Sequence, residues 1–103
     1  MLPTGLLTRT CRIRPYLREG MGGPVYGEWE ERLCRVEEAP AWHAVRIQCG
    51  GIIEEIPVKA RLFLNGTVIP TLSEVEIAGR RMRALTVSPI WGFGLSHVEV
   101  ELG

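Results

Sequence analysis

Between positions 97 and 102 the chain alternates without a slip. His97, Glu99 and Glu101 take one side, and Val98, Val100 and Leu102 take the other. A period of two is what an extended backbone produces, so this stretch predicts a strand with one wet face and one buried face. Residues 81–87, containing Leu85, Thr86 and Val87, form a second extended run. Residues 88–94 between them hold a proline, two glycines and two aromatics and read as a turn. The pair predicts a long hairpin. A lone hairpin is barely stable in water, so the rest of the chain must supply strands to cover its apolar side.

It offers several. Residues 8–14, with threonines and Ile13 before Pro15, read as the first strand. The glycine-rich segment 19–27 cannot hold a helix and reads as a flexible loop. Residues 29–37 predict a second strand, with Glu31, Leu33, Arg35 and Glu37 on one face and Glu30, Arg32, Cys34 and Val36 on the other. Residues 41–49 place Val45, Ile47 and Cys49 on one face, and Gly50-Gly51 follows as a tight turn. Residues 52–64 are the longest extended candidate, with Ile56, Val58, Ala60, Leu62 and Leu64 sharing a face. Pro57 marks an edge, a bulge or a strand start within it. Asn65-Gly66 is a turn dipeptide, residues 74–78 alternate again, and Gly79-Arg80 turns into the final hairpin. Six or seven short strands with turns at this spacing predict an all-β fold. Because closure removes exposed edges, the expected form is a small, partly closed antiparallel β-barrel with long inter-strand loops. At 103 residues it makes a single domain over 1–103.

Charge sets limits on partners. Twelve Lys+Arg balance twelve Asp+Glu, so the whole chain offers no field that would draw in nucleic acid or a membrane. Arg9, Arg12, Arg14 and Arg18 nevertheless cluster ahead of the first acid, Glu19. The three cysteines, Cys11, Cys34 and Cys49, are odd in number and have no CxxC spacing. The first residues are too short and interrupted for a signal peptide's apolar core. The expectation is a soluble protein of a reducing compartment with three free thiols.

Candidate chemistry is thin. His43 and His97 with a cysteine fall short of the four closely spaced ligands of structural zinc. A Cys–His nucleophile needs an orienting third group in space, and buried cysteines more often serve as small hydrophobes. The carboxylate pairs 30–31, 37–38 and 54–55 sit on adjacent residues, which face opposite sides of a strand. Gly20–Gly23 lacks the ending of a phosphate loop. Trp29, Trp42 and Trp91 fall near strand ends or turns, where an exposed one marks a protein contact. No enzyme activity, metal or cofactor is expected.

The order of motifs carries more. After the first strand come Gly23-Pro24-Val25-Tyr26-Gly27-Glu28 and Arg32-Leu33-Cys34-Arg35-Val36-Glu37-Glu38. Later come Ala60-Arg61-Leu62-Phe63-Leu64, the run 75–83, and Ser96-His97-Val98-Glu99-Val100. Over most of the chain this resembles the small head-completion proteins of tailed bacteriophages, also called head–tail connector or stopper proteins. The resemblance implies a small β-barrel assembled into a ring, typically of twelve subunits, in the neck of the virion. Such a ring sits below the portal and adaptor, holds packaged DNA and docks the tail; its subunits are made in the host cytoplasm. It also implies a long inter-strand element reaching the channel, within 38–57 here. The residues this assigns to the channel are His43, Val45, Arg46, Gln48, Gly50, Gly51 and Glu54. Candidate subunit contacts are Arg9, Arg12, Arg14, Trp29 and Trp91. Because residues 45–49 and 52–53 look strand-like, either the plug is a protruding β-hairpin or the gating role is weak.

Two alternatives stand beside this reading. One is a tail-side joining or terminator subunit, also a small β ring. The other is a nucleic-acid-binding small barrel, motivated by the arginines at 9–18.

Overall fold

The structure, a computed structural model, describes residues 5, 7–38, 43–49, 51–92 and 94–103. Its strands are β1 (Arg9–Arg14), β2 (Tyr16–Gly20), β3 (Gly23–Tyr26), β4 (Glu30–Glu38) and β5 (Ala44–Cys49). They continue with β6 (Ile52–Pro57), β7 (Ala60–Leu64), β8 (Glu74–Ile77), β9 (Arg80–Gly92) and β10 (Gly94–Leu102). Six of them close an antiparallel barrel in the order β1-β4-β7-β10-β9-β8, and the remaining four make two separate ribbons, β2–β3 and β5–β6. The all-β barrel expected from the turn spacing is present, and it closes completely where β8 meets β1.

Alternation decides what lies inside. Val98, Val100 and Leu102 of β10 are buried and meet Ala60, Leu62 and Leu64 of β7. Cys11, Ile13, Cys34, Ile69, Val75, Ile77, Met82 and Ala84 complete the interior. Filling the barrel with side chains instead of leaving a lumen gives the aliphatic contact that stabilises so small a domain. The outward face of β10 is only half wet, because Thr86 donates to Glu101 at 2.8 Å and His97 lies beside Phe63.

Four expectations change. Segment 19–27 is not a flexible loop. It is most of the β2–β3 ribbon, in which Gly20 pairs with Gly23 across a tight reversal and Gly23 has φ of 117°. Glycines there supply turn geometry rather than freedom. The ribbon is tied at its base by Gly27 N–H donating to Pro15 O at 2.8 Å. The turn expected over 88–94 is instead strand: β9 runs on to Gly92, which pairs with Gly94. Pro89 is tolerated because β8 pairs only with Arg80–Arg83 of β9, so this part of β9 is an edge. The single run 52–64 breaks into β6 and β7 at Val58-Lys59, with Pro57 closing β6. Finally, the reversal before β9 is a two-residue loop, Ala78-Gly79, with φ of 50° and 80° at its centre. Positive φ at both positions is the hairpin geometry that matches strand twist.

Candidate functional site

The segment assigned to a channel, 38–57, contains the β5–β6 ribbon. Register puts Val45 opposite Ile56 and Ile47 opposite Glu54 on one face, and Arg46 opposite Glu55 and Gln48 opposite Ile53 on the other. The first face lies against the barrel. Ile47, Val58 and Leu85 are buried together, with Val45, Ile56 and Leu72 packed around them. Leu85 can face outward because β9 is irregular there: Glu101 pairs with Thr86 but Leu102 pairs with Ala84, leaving Leu85 as the extra residue of a bulge. Backbone bonds fasten the ribbon's root. Val58 N–H donates to His43 O, and Lys59 N–H to Leu102 O, both at 2.8 Å. His43 Nε2 lies 3.2 Å from Glu101 Oε2. Gly103 fits into the same corner, where a Cβ would meet Leu85 Cδ1 at 2.6 Å and Pro57 O at 2.7 Å.

Beyond this root the ribbon loses its support. Ile52 and Ile53 are 62% and 65% exposed, beside Gly51 with φ of 79°. Of the residues assigned to the channel, Arg46, Gln48, Gly51 and Glu54 are therefore exposed along the ribbon. Val45 and His43 belong to its root, and Gly50 lies outside the described residues.

A second cluster gathers most of the residues assigned to subunit contacts. On the outer wall where β1 meets β8, three guanidiniums surround the Trp29 ring: Arg12 at 4.9 Å, Arg14 at 4.9 Å and Arg81 at 5.3 Å. Arg14 also stacks on Tyr26 at 4.3 Å. Carboxylates hold the stack. Glu74 lies 2.8 Å from Arg14 and 3.5 Å from Arg81, and Glu76 lies 3.2 Å from Arg12 and 3.4 Å from Arg81. Burial, and after it the Glu74 carboxylate, pushes the Tyr26 hydroxyl above its ordinary pKa. This network joins the β2–β3 ribbon to the barrel: Tyr26 belongs to the ribbon, and Tyr16 donates its N–H to Ser73 Oγ at 3.1 Å. Arg12, Arg14 and Trp29 are thus engaged within their own subunit. Arg9 is exposed on β1, and Trp91, 67% exposed, stands near the far end of the β9–β10 hairpin. Trp42 and Phe93 lie outside the described residues.

Sequence reasoning missed Tyr26, Glu74, Glu76 and Arg81 as members of this cluster. The available signal was charge alternation. Arg12 and Arg14 sit two apart, as do Glu74 and Glu76, and opposite charges at that spacing match across paired strands.

Among the described side chains the groups named for chemistry do not converge; the Cys49 side chain lies outside them. Among the described residues no three His, Cys or Glu side chains form a metal-binding group. His97 and His43 pair with Glu99 and Glu101 on the outward face of β10, whereas Cys11 and Cys34 are buried in the barrel interior. A cleft of about 400 Å³ lies at the barrel end beside loop 65–70, lined by Ile13, Glu30, Arg32 and Val68 among others. Its arginine is occupied: Arg32 donates to Thr67 O at 2.9 Å and also to Asn65 O. No family model, curated protein or solved structure matches the chain.

Proposed function

We propose that this protein is a structural subunit of a tailed-phage neck, a ring-forming head-completion protein that joins the portal side to the tail and helps retain packaged DNA. The observation that carries the reading is the β5–β6 ribbon. It lies within the segment where the resemblance expects a projecting element, its root is packed on the barrel, and its tip ends in the exposed pair Ile52 and Ile53. A closed barrel suits such a role because its wall has no open edge, leaving the ribbons and the free edge of β9 in the β9–β10 hairpin as places where copies can meet. Two of the four arginines behind the nucleic-acid reading are engaged elsewhere, since Arg12 and Arg14 are bound to Glu76 and Glu74. A protein lining a DNA passage gains from balanced charge, because a strongly basic lining would bind phosphates and impede transit.

The test uses assembled particles. Trimming residues 46–55 to a short turn should leave the barrel folded, by circular dichroism, while DNA leaks from tailless heads. Full retention by such particles would remove the gating role. Electron microscopy that finds the protein on the tail side of the joint would replace this reading with a tail-joining one.

A further inference from the structure

β10 runs beside β9 as far as Gly92, whereas β8 covers only Arg80–Arg83 on its other side. Ala84 is bonded there to Leu72 and Ser73. Past it, from Thr86 to Gly92, that side of β9 has no paired strand among the described residues. Such a row of unpaired N–H and C=O groups is a template for another chain, and a second copy carries the same edge.

The groups that face this edge follow from β10. Arg83 and Gly103 exchange both backbone bonds, so Gly103 faces β9. Leu102 O accepts from Lys59 N–H, so Leu102 faces the β7 side. Successive residues of an extended strand turn their backbone groups to opposite sides, and the register of β10 with β7 is unbroken from Leu102 to Val98. Val100 and Val98 therefore also face β7. Their partners on β9 are Val87 and Pro89. These two make no bond to β10 and turn their backbone groups to the open edge, as does Trp91 two residues on. The edge thus presents N–H and C=O at Val87 and Trp91, and C=O alone at Pro89 midway between them.

We propose that Pro89 guards this edge against two-fold pairing with a second copy of itself. Any dyad-related antiparallel alignment over 87–91 sets each copy's proline against the other chain. Centred on Pro89, two carbonyls face each other with no donor between them, and only the bonds joining Val87 to Trp91 remain. Shifted so that Pro89 meets Val87 or Trp91, each copy leaves one carbonyl facing a proline nitrogen. The defect occurs twice in every symmetric contact, and covering an unbonded carbonyl is costly. A strand from a different element meets it once. Inside its own subunit the missing donor costs nothing, because β10 does not use it. This property follows from backbone geometry and is independent of the neck role.

The test compares full-length protein with Pro89→Val, which restores the donor on a residue suited to strands. Mass is measured by sedimentation over a dilution series, and hydrogen exchange at each concentration. The variant is expected to reach twice the monomer mass as concentration rises, with slowed exchange confined to 86–92. Wild-type protein is expected to show no species in which 86–92 alone gains protection. Pro89→Thr takes the place of Pro89→Val if the latter misfolds. Exchange over 86–92 that stays as fast at high concentration as at low in the folded variant overturns the proposal. So does association of the variant that protects a second segment as well. A wild-type dimer protected over 86–92 alone overturns it whether or not either variant folds.

Discussion

Two ribbons leave the same barrel, and they are held to it by different physics. The β2–β3 ribbon is clamped through charge and aromatic faces: Tyr26 and Trp29 stack with Arg12, Arg14 and Arg81, and Glu74 and Glu76 fix the guanidiniums. The β5–β6 ribbon is clamped by aliphatic contact at its root, and its tip carries uncovered isoleucines. Exposed ion pairs contribute little each and are screened by salt, whereas aliphatic burial is not screened and is even strengthened by salting-out salts. One ribbon is therefore a salt-sensitive attachment along its outer face, and the other a greasy hinge with a free end. A two-stranded ribbon has little stability of its own, so each takes its order from its clamp.

Point substitutions can break this contrast, the most damaging first. Val100→Asp puts an unpaired charge into the shared interior and should cost several kcal/mol, lowering the thermal melting point and exchange protection in both ribbons together. Unchanged melting would overturn the assignment of β10's faces. Leu85→Ala removes the floor under β5–β6 and should cost about 2–4 kcal/mol. Hydrogen exchange should quicken over 44–57 while 16–26 keeps its protection; equal loss in both would show that the ribbons are not independent. Trp29→Ala removes the plate on which three guanidiniums lie. At roughly 0.5–1 kcal/mol for each of three exposed contacts, the loss should be about 1.5–3 kcal/mol. It should appear in 16–26, and its cation–π part should shrink in high salt. A loss unaffected by salt would make the clamp one of packing alone. The smallest effect concerns Tyr26. Its folded pKa is raised, so the folded state keeps a proton that the unfolded chain releases near pH 10. The stabilisation is complete below that pH and is lost as pH rises through the folded pKa. Urea midpoints from neutral to strongly alkaline pH should fall less steeply in Tyr26→Phe than in the wild type. Parallel curves would remove Tyr26 from the clamp.

Much of the barrel was legible because its strands carry their own pattern. The 97–102 alternation named its buried side correctly, with Val98, Val100 and Leu102 inside. Ala60, Leu62 and Leu64 did the same for β7. The β2–β3 ribbon was hidden because Gly20, Gly22, Gly23 and Gly27, together with Pro24, outweigh two short strands in any local reading. Val58 and Ile56 share a face with Leu62 by alternation, yet they serve the ribbon's root, since the break at 58–59 redirects the chain. The Arg–Trp cluster could not be seen locally at all. Its members come from positions 12–14, 26–29 and 74–81, and only the pairing of β1 with β8 makes them neighbours.

That pairing has a kinetic consequence. Arg12 meets Glu76 across 64 positions and Arg14 meets Glu74 across 60, whereas β8–β9 and β9–β10 are local hairpins. Long loops must be closed before such distant contacts can form, and chains dominated by them fold slowly. The hairpins should therefore zip early and wait, with the β1–β8 seam the last to shut. At that moment the row of arginines meeting the row of glutamates acts as a key, choosing the alignment in which the wall becomes continuous.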